Sequence, residues 1–278
     1  MLRVSICSIA MICAPFFAVG CSAPDRLSVS GSTTVLPAVS RAAERYSTDT
    51  GQRITVNAGG SGGGFNQLAE GQTNIGMMSR DITESEREQF SDYSFNSIAI
   101  GRDAVAPVVS SEVFDQGITD ISLADIAKIY RGEILNWSEL GGPDRDIFVI
   151  DKEASSGTRQ TFMKVVMGSS KAEAPGADLV IGSNNEEQTA LTQSDAAIGM
   201  LSIAWLNDDV KGLSVRLQDG RLIAPTLKNV QNGSFPVVRD LNIVLRSDAS
   251  DKTRSFADYL LSPEGQVFVE KSGYIPVN

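Results

Sequence analysis

The run NAGGSGGGFNQL, Asn57 to Leu68, sets five glycines around Ser61 immediately before a stretch with helical spacing. Two further runs share its plan. SGSTTVLP (Ser30–Pro37) and ASSGTRQTF (Ala154–Phe162) each follow an apolar strand-like segment and open a helical one. Small hydroxyl residues at a helix start turn their oxygens, and the first backbone N–H groups, away from the helix. That helix end carries about half a positive charge, so an oxyanion placed there is stabilised without a formal cation. Glycine suits such a place because a side chain would hold the ligand off the backbone. One turn of this kind is ordinary capping; three in one chain point to a shared anion cradle.

Other chemistries compete for the same residues. Gly59-Gly60-Ser61-Gly62-Gly63 matches the G-x-S-x-G pattern of serine hydrolases. The chain contains no histidine, so a Ser-His-Asp relay is excluded. A hydrolase or phosphatase acting through Ser61 or Ser156 would need Lys152 as its base. No Lys-Ser/Thr follows the glycines, and their spacing is not that of a dinucleotide fingerprint. All three cysteines, Cys7, Cys13 and Cys21, fall in the first 21 residues, so no metal site or cofactor is expected.

The remaining polar candidates are Ser79, Arg80 and Asp81 of an SRD triplet, Arg102 and Asp103 of a GRD triplet, Lys152 and Arg159. Arginine offers a planar fork of donors matched to oxyanion oxygens. A buried aspartate could accept the proton that phosphate carries and sulfate lacks, which would discriminate between two nearly isosteric ions. Asp103 could equally be a plain salt-bridge partner of Arg80 or another cation.

The elements that must position these residues alternate along the chain. Strand-like runs at RLSVSGS, QRITVNAGG, TNIGMMSRD and NSIAIGRDAVAPVVSS are interleaved with helical stretches, of which VLPAVSRAAERYSTDTG is bounded by Gly51. FVIDKEASSGTRQTFMKVVMG repeats the strand–turn–helix plan, and the C-terminus reads as two helices broken at Ser262-Pro263. This alternation predicts an α/β fold with parallel sheets. No single linker divides the chain, which fits two lobes joined by crossings at Val105–Ser111 and Pro225–Val238. Residues 27–107 with 232–278 would form lobe 1, and 108–231 lobe 2.

The formal net charge of −10 argues against a nucleic-acid binder. It does not exclude a small anion held by local dipoles. Residues 1–20 have a basic start at Arg3 and an apolar run too short for a comfortable membrane span, the pattern of a signal peptide. Ala18-Val19-Gly20-Cys21 resembles a bacterial lipobox, so Cys21 is the expected lipidation site and 21–26 a tether. The alternative is a plain signal peptide cut nearby.

GSTTVLP, GGSGGG, IGMMSRD and SSGTRQTF, in that order, resemble the phosphate-binding subunit of the high-affinity phosphate ABC transporter, as do IYRGEILNWSELGG, AAIGMLS and LLSPEGQVFVEKSGYIPV. The resemblance covers nearly the whole mature chain and is to the shorter branch, in which a Ser-Arg pair replaces a ligand aspartate. It implies a two-lobed type II periplasmic binding-protein fold, with a mixed, mostly parallel sheet in each lobe and two hinge crossings. It also implies a monomer without enzymatic activity that captures inorganic phosphate outside the cytoplasm and delivers it to a membrane permease. Carried over by motif, the phosphate ligands would be Ser32, Thr33, Thr34, Ser61, Ser79, Arg80, Ser156, Gly157 and Thr158. Asp103 would be the proton acceptor, with Gly62, Lys152 and Arg159 as possible additions. Lys152 stands where relatives commonly carry arginine. The same architecture could instead serve sulfate, another oxyanion or an organophosphate, or act as a phosphate sensor or adhesin.

Overall fold

The computed structural model describes residues 26–277; the leader and Cys21 lie outside the described residues. The first segment runs β1 (Arg26–Gly31), α1 (Leu36–Thr50), β2 (Arg53–Ala58), α2 (Gly60–Ala69), β3 (Ile75–Met78), α3 (Glu84–Gln89) and β4 (Phe95–Ser110). There follow α4 (Ser111–Asp115), β5 (Asp120–Ser122), α5 (Leu123–Tyr130), β6 (Phe148–Lys152), α6 (Gly157–Val166), β7 (Leu179–Ile181), α7 (Asn184–Thr192) and β8 (Ala197–Ser202). The last part holds β9 (Val210–Gly212), β10 (Ser214–Arg216), β11 (Leu222–Ile223), α8 (Leu227–Gln231), β12 (Val238–Arg246), α9 (Asp251–Leu261), α10 (Pro263–Lys271) and β13 (Ile275–Pro276).

Local chemistry sets the boundaries. Pro37 opens α1, its face of Ala38, Val39, Ala42 and Ala43 is buried, and Gly51 ends it at φ 73° in the left-handed region. Ser262 closes α9 and caps α10, with Pro263 at the first helical position.

The strands form one mixed sheet in the order β2-β1-β3-β12-β4-β8-β6-β7, with a separate small sheet β11-β10-β5. Parallel pairs lie toward the flanks (β1 with β2 and β3, β6 with β7 and β8), while β12 and β4 pair antiparallel at the centre. Both sequence-predicted parallel units are therefore present, joined into a continuous sheet by the 16-residue β4. Residues 95–104 of β4 pair with β12, and residues 105–109 pair with β8.

Two large apolar cores sit on either side of that change of partner. The first gathers Val29, Val39, Met77, Ile243 and Phe256. The second gathers Val108, Tyr130, Trp137, Phe162 and Ile198. The chain passes between them along β4 and again just before β12, where Val105 N–H donates to Val237 O at 2.9 Å. The sequence reading did not single out β12, the central strand, nor the short β5 and β9–β11.

Candidate functional site

The three hydroxyl-rich turns converge where the two cores meet. Ser32 and Thr34 follow β1, Ser61 lies in the first turn of α2, and Ser79 and Arg80 follow β3; all five are buried. From the second core, Ser156 caps α6, and Gly157 and Thr158 form its first turn. The sides are pressed together. Gly62 N–H donates to Ser155 O at 3.2 Å. A Cβ on Gly157 would stand 2.4 Å from Ser61 Oγ and 2.5 Å from Ser79 Oγ, so only glycine allows this approach. A Cβ on Gly64 would lie 2.5 Å from Gly31 Cα, so that glycine serves the packing of α2 on β1. Several glycines of the opening run thus bring protein against protein, which the sequence reading had assigned to ligand approach.

Hydrogen-bond capacity shows which way the hydroxyls point. Thr34 Oγ1 accepts from Asn184 Nδ2 at 3.0 Å and from Arg239 Nη2 at 3.2 Å. Both its lone pairs are then occupied, and its O–H can only donate. Thr158 Oγ1 accepts from Arg239 Nη1 at 2.8 Å, and Ser61 Oγ from Ser79 N–H at 3.1 Å. Ser32 Oγ accepts from Thr34 N–H at 3.2 Å, and Ser156 Oγ from Arg159 N–H at 3.4 Å. Thr33 is half-buried and its Oγ1 accepts from Asn184 N–H at 3.4 Å. Each of these hydroxyls accepts at least one bond and keeps a hydrogen to donate, which with the amides of two helix starts makes a set of donors.

Arg80 adds a cationic fork. Its Nη1 and Nη2 reach the two oxygens of Glu86 at 2.8 and 2.7 Å, and Nη1 also donates to Asp81 O at 2.8 Å. The buried Nε has no hydrogen-bond partner. Nε–H and the remaining Nη2 proton share one edge of the planar group, the edge that grips two oxygens of one ligand. Glu86 also closes a capping box with Thr83 at the start of α3, which holds the arginine from behind. Burial pushes the Glu86 carboxyl up, but the hydrogen bonds and charge of Arg80 outweigh it and leave the carboxyl below its usual range.

Arg239 of β12 is the site residue that sequence reasoning missed. It donates to Asp103 Oδ2 through Nε at 3.0 Å and Nη2 at 2.7 Å, besides bridging Thr34 and Thr158. Asp103 also accepts from Ser202 Oγ at 2.8 Å. Two of these three bonds come from Arg239, so the salt-bridge alternative describes Asp103 here, with Arg239 as the cation. The proton-acceptor role expected for Asp103 would have to use the lone-pair position that these three bonds leave on Oδ1. Burial pushes the Asp103 carboxyl above its usual range, against the pull of Arg239.

Two further expected residues stand back from the cradle. Lys152 Nζ lies 2.5 Å from Glu187 Oε2 and donates to Ser183 O at 3.2 Å, beneath the start of α7 that carries Asn184. Arg159 Nε donates to both oxygens of Asp151 at 3.0 and 2.9 Å. Lys152 is therefore engaged with a carboxylate and not with Ser61 or Ser156, which removes the support for a Ser-Lys hydrolase. Among the described residues no cluster of acidic or sulfur ligands could hold a metal ion. Beside the cradle lies a cavity of about 630 Å³, lined by Arg80, Thr83, Gln160, Lys164 and Arg239 among others.

Residues 20–264 match the family model described as a PBP superfamily domain. The chain is 34% identical over 258 residues to the phosphate-binding protein PstS of Bacillus subtilis (strain 168), covering 92% of this chain and 82% of that protein. Among solved structures it resembles one described as a phosphate ABC transporter substrate-binding protein with bound phosphate, from Clostridium perfringens. That match has a TM-score of 0.81 at 32% identity, over 91% of this chain and 100% of the other. An ABC-type phosphate transport receptor from Vibrio cholerae matches with a TM-score of 0.71 at 28% identity, over 90% and 99% of the two chains.

Proposed function

The chain belongs to the PBP superfamily and, within it, to the phosphate-binding proteins, and on that premise we propose that it captures inorganic phosphate in the cradle between its two cores. The fold is that of the type II periplasmic binding proteins. The observation that carries the ligand assignment is the unbonded Arg80 edge, in a buried setting of hydroxyls and helix-start amides. Such a set offers donors to a tetrahedral oxyanion and no nucleophile with a base beside it.

In this reading Ser32, Thr33, Thr34, Ser61, Ser79, Arg80, Ser156, Gly157 and Thr158 surround the ligand, with Gly62 at the rim. Asp103 acts through Arg239, while Lys152 and Arg159 buttress α7 and α6. Residues 27–107 with 232–278 form one lobe and 108–231 the other, a division that the two apolar cores support except at Ala104–Ala106, Phe235 and Val237, which pack in the second core. Arg239 reaches Thr34 on one side and Thr158 on the other, so closure assembles the donor set. The cavity beside Arg80 is the approach route.

The protein works outside the cytoplasm as a monomer, held at a membrane by lipid on Cys21, and hands phosphate to a membrane permease. Titration calorimetry with phosphate tests the ligand: saturable one-to-one heat is expected. Absence of heat together with absence of any thermal shift would overturn it.

A further inference from the structure

Asn184, the first residue of α7, is buried against the turn that follows β1. Its side-chain Nδ2 donates to Thr34 Oγ1 at 3.0 Å, and its backbone N–H donates to Thr33 Oγ1 at 3.4 Å. Asn184 stands on the lobe of residues 108–231 and the two threonines on the other, so both bonds cross the cleft. The asparagine is itself firmly held. Ser183 caps α7 in a reciprocal box with Glu186. Lys152 Nζ donates to Ser183 O at 3.2 Å while resting 2.5 Å from Glu187 Oε2, one turn further along the helix. Glu187 Oε1 accepts from the Met200 amide of β8 at 2.6 Å, which ties the helix to the sheet.

Thr34 shows what this placement does. Tyr274 fixes its backbone by donating to Thr34 O at 2.6 Å, which leaves the hydroxyl as the movable part. Thr34 Oγ1 accepts from Asn184 on one lone pair and from Arg239 Nη2 on the other. A hydroxyl with both lone pairs taken has only its hydrogen left to offer. Its remaining neighbour, Thr158 Oγ1 at 3.5 Å, stands at the outer limit of a hydrogen bond, so that hydrogen is available to a ligand. Without the amide donor one lone pair opens, and the hydroxyl is free to turn and receive a bond instead of giving one. We propose that Asn184 is a positioning residue of the cradle, reaching across the cleft to set the Thr34 hydroxyl as a donor to the bound anion. This inference rests on the phosphate-binding reading and deepens it by adding a residue outside the three hydroxyl-rich turns.

The test is calorimetry of the mature chain with inorganic phosphate, beside a melt of each unliganded protein. Asn184→Ala removes the donor and should weaken binding roughly tenfold, the worth of one hydrogen bond. Asn184→Asp keeps the size but puts a charged acceptor in the donor's place. The Thr34 hydrogen then turns to the carboxylate, and binding should weaken about 100-fold or more, beyond the alanine variant. In a Thr34→Val background the alanine substitution should change affinity less than about twofold, because the group it acts through is gone. Equal losses from the alanine and aspartate variants, or additive losses from Asn184→Ala and Thr34→Val, overturn the inference while leaving phosphate as the ligand. So does a Thr34→Val protein that binds as tightly as its parent. Should that variant fail to melt cooperatively, the order of the alanine and aspartate variants decides alone. No heat from the parent protein removes the phosphate reading itself.

Discussion

Arg80 keeps one edge of its guanidinium unbonded, while Arg239 commits its Nε and both terminal nitrogens to Asp103, Thr34 and Thr158, so the two arginines should fail differently. Arg80→Lys retains charge but not the fork. Loss of a charge-assisted bond is expected to weaken phosphate binding about 10- to 100-fold, and loss of the two-point grip on Glu86 should lower the melting temperature of the free protein as well. Calorimetry beside a thermal melt separates the two effects. Asp103→Asn acts on the fold, since it leaves Arg239 buried without a counter-charge, at a cost of about 3–5 kcal/mol. Its pH signature follows from burial holding the folded-state carboxyl above its usual range. The folded state holds that proton more tightly than the unfolded one. The associated stability is complete below the ordinary carboxylate range and lost as pH rises through the folded value. Thermal melts across the acid range should give the variant a shallower decline in that window than the parent protein. Equal slopes would remove Asp103 as its source.

At the scale of elements, α2 and α6 meet nose to nose, and their glycines set how close they come. Gly157→Ala adds a methyl 2.4 Å from Ser61 Oγ, at a backbone conformation that alanine accepts. Overpacking of about 1–3 kcal/mol should oppose closure and weaken phosphate binding about 10- to 100-fold. A titration in parallel with an unliganded melt should show affinity lost and stability kept. The helix starts were legible because their signals are local: Ser156, Thr83, Ser262 and Gly51 announce caps within a few residues of each boundary. The hydroxyl and glycine residues of the cradle were legible for the same reason. β12 was passed over although Leu241–Leu245 is a buried apolar run, and Arg239 went with it. The Arg239–Asp103 pair spans 136 positions along the chain, a separation at which residue spacing carries no signal. The roles of Lys152 and Arg159 were hidden similarly, because Glu187 and Asp151 decide them from other elements.

For the whole molecule, one continuous sheet through β4 joins two cores, and the site is complete only when the cores are together. A ligand that binds only that state must stabilise it by mass action. Phosphate at about 100 times its dissociation constant should contribute about 2.7 kcal/mol and raise the melting temperature by roughly 5–10 °C. The most direct measurement is a crystal structure with phosphate bound, read at two distances. Phosphate oxygens within hydrogen-bond reach of Arg80 Nε and Nη2, with Asp103 still bonded to Arg239 and Ser202, are the predicted result. A phosphate that leaves the Arg80 edge empty, or that rests directly on the Asp103 carboxylate, would contradict it.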